Sequence, residues 1–294
     1  MSNRKFSRKN KLTLLALSLI TPVAMAGTMG EISTSSFEGW YGGIMGGILE
    51  TKSHILSTSS SNSSNINEPG NILSITQSDV NVNKFTGTDA IYLGYGRFFH
   101  NNAFLMAFEI AGNMGKRKNT LNNLAALQEP NGTASTASLA TSTTAKLKSG
   151  EFDFDLRPGF LIDTQTMLYG RVGGALNQLT LTSDNTFVFN QLAAFGFITA
   201  ADYTSPLKQQ TSRKVVGLRI GAGIERALRQ RFSITADYIY TYYGTMNASN
   251  IGNSTSTTVA TNSAFTNVNG LSGNSSARIF TQMAMLGVKY YFPV

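Results

Sequence analysis

The chain is 294 residues long, has only 14% charged residues against 28 glycines, and contains no cysteine. The missing cysteine excludes disulfides, thiolate nucleophiles and cysteine metal sites. The formal net charge of +8 invites a nucleic-acid reading, but the surplus is concentrated at one end.

Arg4, Lys5, Arg8, Lys9 and Lys11 precede the apolar run LTLLALSLITPVAMA, which closes on Ala24-Met25-Ala26. A basic start, a short apolar run and an A-x-A end predict a secretory signal peptide over residues 1–26, cut after Ala26. The run is too short for a spanning helix, which needs ~20 residues. Its removal takes five positive charges from +8 and leaves about +3. No basic patch survives that loss, so no nucleic-acid partner is expected. Residues 27–39 are expected to form a short periplasmic segment, and residues 40–294 a single domain.

From residue 40 onward the chain alternates. EFDFDLRPGF is the clearest case: Phe152, Phe154, Leu156 and Phe160 share one parity, and Glu151, Asp153, Asp155 and Arg157 the other. A period of two is a β-strand, because successive side chains leave opposite faces. Eight such strands are predicted, over residues 40–52, 86–99, 103–115, 146–162, 167–182, 214–228, 231–243 and 278–292. Short turns join them near residues 100–102, 163–165 and 228–230. The other connections, 53–85, 116–145, 183–213 and 244–277, are long and rich in Ser, Thr and Asn. Pro158 lacks a ladder donor and predicts a local defect or bulge in its strand.

Long connections at every second position all fall at one end of a sheet. Each strand exceeds the ~9–11 residues that cross a hydrocarbon core at a tilt, and in lipid every backbone polar group must pair, so the sheet must close. The expected fold is all-β: an eight-stranded antiparallel transmembrane β-barrel with short periplasmic turns and four long extracellular loops. A soluble sandwich or lipocalin-like barrel would alternate too, with the apolar face buried instead. Glycines interleaved with charges on strand after strand favour a narrow polar lumen, with the apolar sets facing lipid. Tyr238, Tyr240, Tyr242, Tyr290 and Tyr291 are expected in the aromatic girdle.

Several segments resemble the small eight-stranded outer-membrane barrels: the OmpA transmembrane domain, OmpX and the opacity-type surface proteins. They are GWYGGIMGG (39–47), IYLGYGRFF (91–99), AFEIAG (107–112), FDLRPGF (154–160), LYGRVGGAL (168–176) and LGVKYYFPV (286–294). The resemblance spans nearly the whole mature chain. It implies a setting in outer-membrane lipid and lipopolysaccharide, and a C-terminal strand read by the barrel-assembly machinery. Such proteins usually end in Phe. This chain ends Phe292-Pro293-Val294, with Val294 keeping the outward parity. No peptidoglycan-binding domain follows the barrel, so a cell-wall anchoring role does not carry over.

By parity the interior charges are Glu109, Glu151, Asp153, Asp155, Glu225 and Asp237 against Arg157, Arg171, Arg219 and Lys289. Enclosed charges must be paired or hydrated. They are read as a lumen-filling salt-bridge network, with a narrow gated ion path as the alternative. An enzyme is not expected. Lipid-modifying chemistry on such a barrel needs a His base beside a Ser nucleophile, and the only histidines are His54, in or near an outer loop, and His100, in a turn. No His or Cys cluster has metal-ligand spacing, and no cofactor is expected. The third long connection differs from the others. NTFVFNQLAAFGFITAADY carries Phe187, Phe189, Phe195 and Phe197, either as a contact loop for a host or cell-surface partner, or packed down as a lid, or extending strand five. The role that follows is structural and surface-interacting, adhesin- or opacity-like.

Overall fold

The computed structural model describes residues 37–65, 72–99, 104–115, 117–128, 135–191, 203–229, 231–260 and 263–293. The signal segment with Ala26, the first residues of the 27–39 segment, and Val294 lie outside them. Ten antiparallel strands run β1 Gly39–Asn65, β2 Ile72–Phe99, β3 Phe104–Gly115, β4 Arg117–Gln128, β5 Ser135–Leu147, β6 Gly150–Leu161, β7 Thr166–Gln191, β8 Tyr203–Arg229, β9 Phe232–Ala260 and β10 Ser263–Tyr291. Eight of them close a ring, β1-β2-β3-β6-β7-β8-β9-β10, sealed where β10 returns to β1. Closure is the physical requirement that the alternation implied, because it leaves no open edge in the wall.

The wall is inside out relative to a soluble protein. Ile44 is 65% exposed and Val216 68%, while Asp153 and Glu225 are 0% exposed. Phe152, Phe154, Leu156 and Phe160 point outward, and Glu151, Asp153, Asp155 and Arg157 between them are buried. Trp40 and Tyr95 meet on the outer face, their ring centroids 5.3 Å apart. Tyr238 and Tyr242 are also outward, but Tyr291 is buried inside. Tyr291 therefore does not belong to the girdle. Its parity is that of Lys289, one pleat away on the inner face.

Three local details bear on the sequence reading, the first bearing out the defect expected at Pro158 and the other two differing from it. Pro158 interrupts pairing with β7, since the ladder passes from Leu156↔Val172 to Gly159↔Tyr169. The register is the same on both sides, so the missing N–H costs ladder bonds without inserting a bulge. The strand expected over 146–162 is broken: β5 ends at Leu147, and β6 begins at Gly150. The third concerns the long connections. Over their described residues they are paired strands. The ladder of β1 with β2 continues to Ser63↔Ile72, and that of β9 with β10 to Ala260↔Ser263. Ser- and Thr-rich stretches read as loops because they lack apolar residues, yet Thr fits a pleated strand and the alternation of faces persists.

Above the ring the wall divides. β2 pairs with β3 only as far as Thr88↔Gly115, and β8 with β9 only as far as Leu218↔Tyr242. Beyond those points β2-β1-β10-β9 continue as one sheet and β4-β5-β7-β8 as another. The second parting coincides with Gly244, at φ 79°, beside the register shift between Arg278 and Phe280. Tyr243 and Gly244 of β9 stand against the single Ile279 of β10, and a left-handed glycine within such a two-against-one pairing makes a β-bulge, which bends β9 away from β8. At the first parting Asn119 of β4 bridges the gap. Its Nδ2 donates to Ser53 Oγ at 2.8 Å and to the carbonyls of Val82 and Thr51 at 3.1 and 3.2 Å.

The packed lumen and the projecting sheets

The structure places all ten charges read by parity inside the ring: Glu109, Glu151, Asp153, Asp155, Arg157, Arg171, Arg219, Glu225, Asp237 and Lys289 are buried. Their pairs run as chords across the lumen. Arg157 of β6 reaches Glu109 of β3 at 2.9 Å and Glu225 of β8 at 3.3 Å. Arg171 of β7 holds Glu109 at 2.6 Å, Asp155 at 2.9 Å and Asp237 at 2.9 Å. Arg219 of β8 reaches Asp155 at 3.0 Å and also binds Asp153. Lys289 of β10 lies 2.6 Å from Glu225.

Sequence reasoning missed the tyrosines and one arginine of this network. Tyr291 and Ser233 donate to Glu225 at 2.7 and 2.6 Å. Tyr169 donates to Asp237 at 2.8 Å, and its ring carries the Arg157 guanidinium at 3.8 Å from its centroid. Lys289 Nζ sits 4.1 Å from the centre of the Tyr41 ring, a cation–π contact in a desolvated setting. Arg117 and Tyr243 both bind Glu151. Arg117 lies in GKRKN, which reads as loop. The signal for it was parity, because Asn113, Gly115 and Arg117 continue the inward set of β3. With Arg117 the interior holds six carboxylates and five cations.

The network is capped on both sides by apolar layers. Toward the short turns lie Phe37, Tyr41, Phe98, Leu105 and Met167. Toward the long hairpins, Ile55, Tyr243, Met246 and Ile279 of one sheet pack against Leu147, Leu179 and Leu181 of the other. Beyond them is a hydroxyl layer. Ser57 Oγ and Ser275 Oγ are 3.3 Å apart, Thr143 donates to Ser57 at 3.5 Å, and Ser275 to Ser183 at 3.5 Å. These contacts tie β1 and β10 to β5 and β7, so the two sheets face one another as a sandwich whose inner side is filled.

A closed ring with lipid-compatible residues outside and a paired ionic core inside has one solvent that suits it. The chain is a transmembrane β-barrel of the outer-membrane type. No helix among the described residues is long and apolar enough to cross a membrane.

Neither a protein-family model nor a curated protein matches the sequence. Among solved structures, the attachment invasion locus protein Ail of Yersinia pestis is similar at 14% identity and a TM-score of 0.30, covering 86% of this chain and 99% of that one. Neisserial surface protein A is similar at 12% and 0.28, covering 87% and 98%. The outer membrane protease OmpT from Escherichia coli stands at 9% and 0.21, covering 87% and 97%. Likenesses this distant carry nothing about what the barrel does.

Other candidates are placed as follows. His54, on the outward side of β1, has Nε2 at 2.7 Å from Asp79 Oδ1. The β1–β2 ladder brings the Asp79 carboxylate beside it. Among the described residues no Ser or Thr hydroxyl is hydrogen-bonded to His54, so the pair lacks a nucleophile. His100 lies outside the described residues. Phe187 and Phe189 fall on the backbone of β7, opposite Leu139 and Ala137 of β5 and opposite Ser205 and Tyr203 of β8. That part of the third connection extends the fifth strand of the ring. Phe195 and Phe197 lie outside the described residues. No group of three His, Cys, Asp or Glu suited to a metal is found among the described residues.

Proposed function

We propose that the protein is a surface-display barrel of the bacterial outer membrane. The ring is the anchor, the lumen is a structural plug, and the long hairpins project outside the cell as the contact surface, with the short turns in the periplasm. One observation carries this reading: the two sheets that rise from the barrel are packed against each other through Ile55, Leu147, Leu179, Met246 and Ile279. Loops that only connect strands do not need a core of their own. A sandwich with an apolar filling is a stiff mount for the hairpins that rise from it, as a recognition surface requires.

The same filling argues against the pore alternative, since an ion would have to pass apolar layers on both sides of a cross-linked ionic core. It also speaks against catalysis in the lumen, because among the described residues every interior carboxylate is engaged by cations or hydroxyl donors. The partner is a host or cell-surface molecule, reached through the hairpin tips, including the aromatic 185–203 segment.

The test is expression in a non-adherent Gram-negative host, with bacteria retained on a cell layer counted against a variant whose hairpins are trimmed to residue 58 on β1 and 275 on β10. Surface exposure is read in parallel from Asn247→Cys, labelled by a membrane-impermeant maleimide; the chain has no other cysteine to confuse it. Retention that depends on the full hairpins, with Asn247→Cys labelled in intact cells, supports the reading. Labelling only after lysis overturns it.

A further inference from the structure

The outward faces of the two sheets differ in charge. On the β2-β1-β10-β9 sheet, Lys52 has Glu50 at 3.4 Å and His54 has Asp79. On the β4-β5-β7-β8 sheet, Lys118, Lys146, Lys148 and Lys214 are all exposed, and none is within ion-pair distance of a carboxylate among the described residues. Lys118, Lys146 and Lys148 line an open concavity of about 570 Å³, and Lys214 pairs with Gln178 at its edge. Its lining is hydroxyl-rich: Thr180 and Ser212 sit 2.9 Å apart, and the lining Thr144 has Thr120 at 3.1 Å. Asp184, at its upper end, has a partner of its own.

Register fixes the height of this face. Leu176 pairs with Phe152 on one side and Val216 on the other, and all three side chains are in the exposed apolar belt. Gln178 and Lys214 pair two residues further up, where the Lys148 N–H donates to the Gln178 carbonyl. The next outward row is Lys118↔Lys146↔Thr180↔Ser212. Two residues of strand are about 7 Å. The lysines therefore begin one row above lipid-facing carbon, at the depth of lipid headgroups.

We infer that this face is a binding site for the phosphate groups of an anionic glycolipid in the outer leaflet. The inference rests on the orientation proposed above. Four ammonium groups without counter-charges form a field that attracts phosphate, lysine is a compact phosphate-binding charge, and the threonine hydroxyls supply further donors. A soluble polyanion would not select a face at this height, whereas a phosphorylated lipid whose chains lie along Leu176 and Val216 places its headgroup there. The site would seat the barrel at a fixed rotation and depth among its lipids.

The test uses the refolded protein in phosphatidylcholine mixed micelles, with lipid A as the probe. Folding is checked by heat-dependent gel migration, and the lipid A retained per protein is measured across a salt series. Wild type should retain bis-phosphorylated lipid A at least about tenfold better than its dephosphorylated form, with retention falling as salt rises. The combined K118Q, K146Q, K148Q and K214Q variant should lose that preference, at roughly fivefold per lysine for the first losses. Glu50→Gln, on the other sheet, should change nothing. Equal retention of the dephosphorylated lipid, or an unchanged quadruple variant, overturns the site. Displacement by inorganic pyrophosphate at equal concentration overturns the membrane source. Micelles have no inside or outside, so these outcomes are independent of Asn247→Cys labelling, which judges orientation alone.

Discussion

Glu225 is the sharpest place to test whether the lumen is a dry ionic core. Its carboxylate takes Lys289 at 2.6 Å, Arg157 at 3.3 Å, Ser233 at 2.6 Å and Tyr291 at 2.7 Å, and it is 0% exposed. Glu225→Gln keeps the shape and removes the charge. Ser233 and Tyr291 can rotate their hydroxyls to accept instead, and Arg157 keeps Glu109. Lys289 cannot recover a counter-charge, because Glu225 is its one ion partner among the described residues and the Tyr41, Tyr92 and Tyr291 rings around it carry no charge. Removing one member of a buried pair costs about 3–5 kcal/mol, which is two to nearly four orders of magnitude in the folding equilibrium. Lys289→Met leaves Glu225 with three donors, so the loss is one charged hydrogen bond, about 1.5–3 kcal/mol. The double variant should cost less than the sum of the two by at least about 1.5 kcal/mol, since neither charge is then stranded. The assay is reversible urea unfolding in phospholipid vesicles, read from Trp40, the single tryptophan, which faces outward beside Tyr95. A cost below about 1 kcal/mol for Glu225→Gln, or strict additivity in the cycle, would refute the dry-core reasoning.

Three further outcomes are expected. In planar bilayers the refolded protein should be silent, and Arg219→Ala should stay silent because Ile55, Leu147 and Leu179 still block the lumen above it; steady, resolvable channels would refute a closed core. At Gly47 an added Cβ would lie 2.1 Å from the Ala284 carbonyl, whereas at Gly87 nothing lies within 4 Å. Gly47→Val should therefore destabilise by at least the ~1–3 kcal/mol of overpacking, or fail to refold, and Gly87→Val should be near neutral; the urea midpoints of the two variants decide. In the short turn the Gln165 N–H donates to Asp163 Oδ1 at 2.7 Å. Partial burial opposes ionisation there, but this bond and those from Thr166 win, and the carboxyl is held below its usual value. A depressed value means the stabilisation is complete above about pH 4, the unfolded value, and is lost as pH falls through the folded one. Asp163→Asn, whose amide oxygen can keep the turn, should flatten that acid limb in melting temperature measured from pH 5 to pH 2.

The alternation of EFDFDLRPGF is a local property, so it is legible in a sequence, and it assigns Glu151, Asp153, Asp155 and Arg157 to one side of a wall. The same reasoning carries closure, since a strand set with one lipid-facing side cannot end in an open edge. Pairing was not legible. That Arg157 meets Glu225 across the lumen depends on the stagger of β6 against β8, which no local pattern encodes. Nor was the reach of the strands. STSSSNSSNIN has a single apolar residue, Ile66, and no glycine, and the pairing of residues 57–63 with residues 72–78 is a matter of the partner strand. Tyr291 was misassigned because two adjacent tyrosines, 290 and 291, cannot share a face, and parity alone placed Tyr290 outside with Val288. Arg117 was overlooked because the chain was expected to leave the wall one residue earlier.

The parting of the wall into two facing sheets also governs how such a chain can vary. Each rising strand keeps Ile55 and Ser57, or Leu179, Leu181 and Ser183, turned inward by parity. One residue inserted near Ser53 would turn every side chain above it through half a turn and expose the filling, whereas two would restore it. Among the described side chains on β1 and β7, the buried set runs as far up as Ser57 and Ser183. Variation among descendants of this gene should therefore be even-numbered at the feet of the hairpins and free in number at their tips, so that the part shown to the outside can change length and composition while the mount beneath it stays in register.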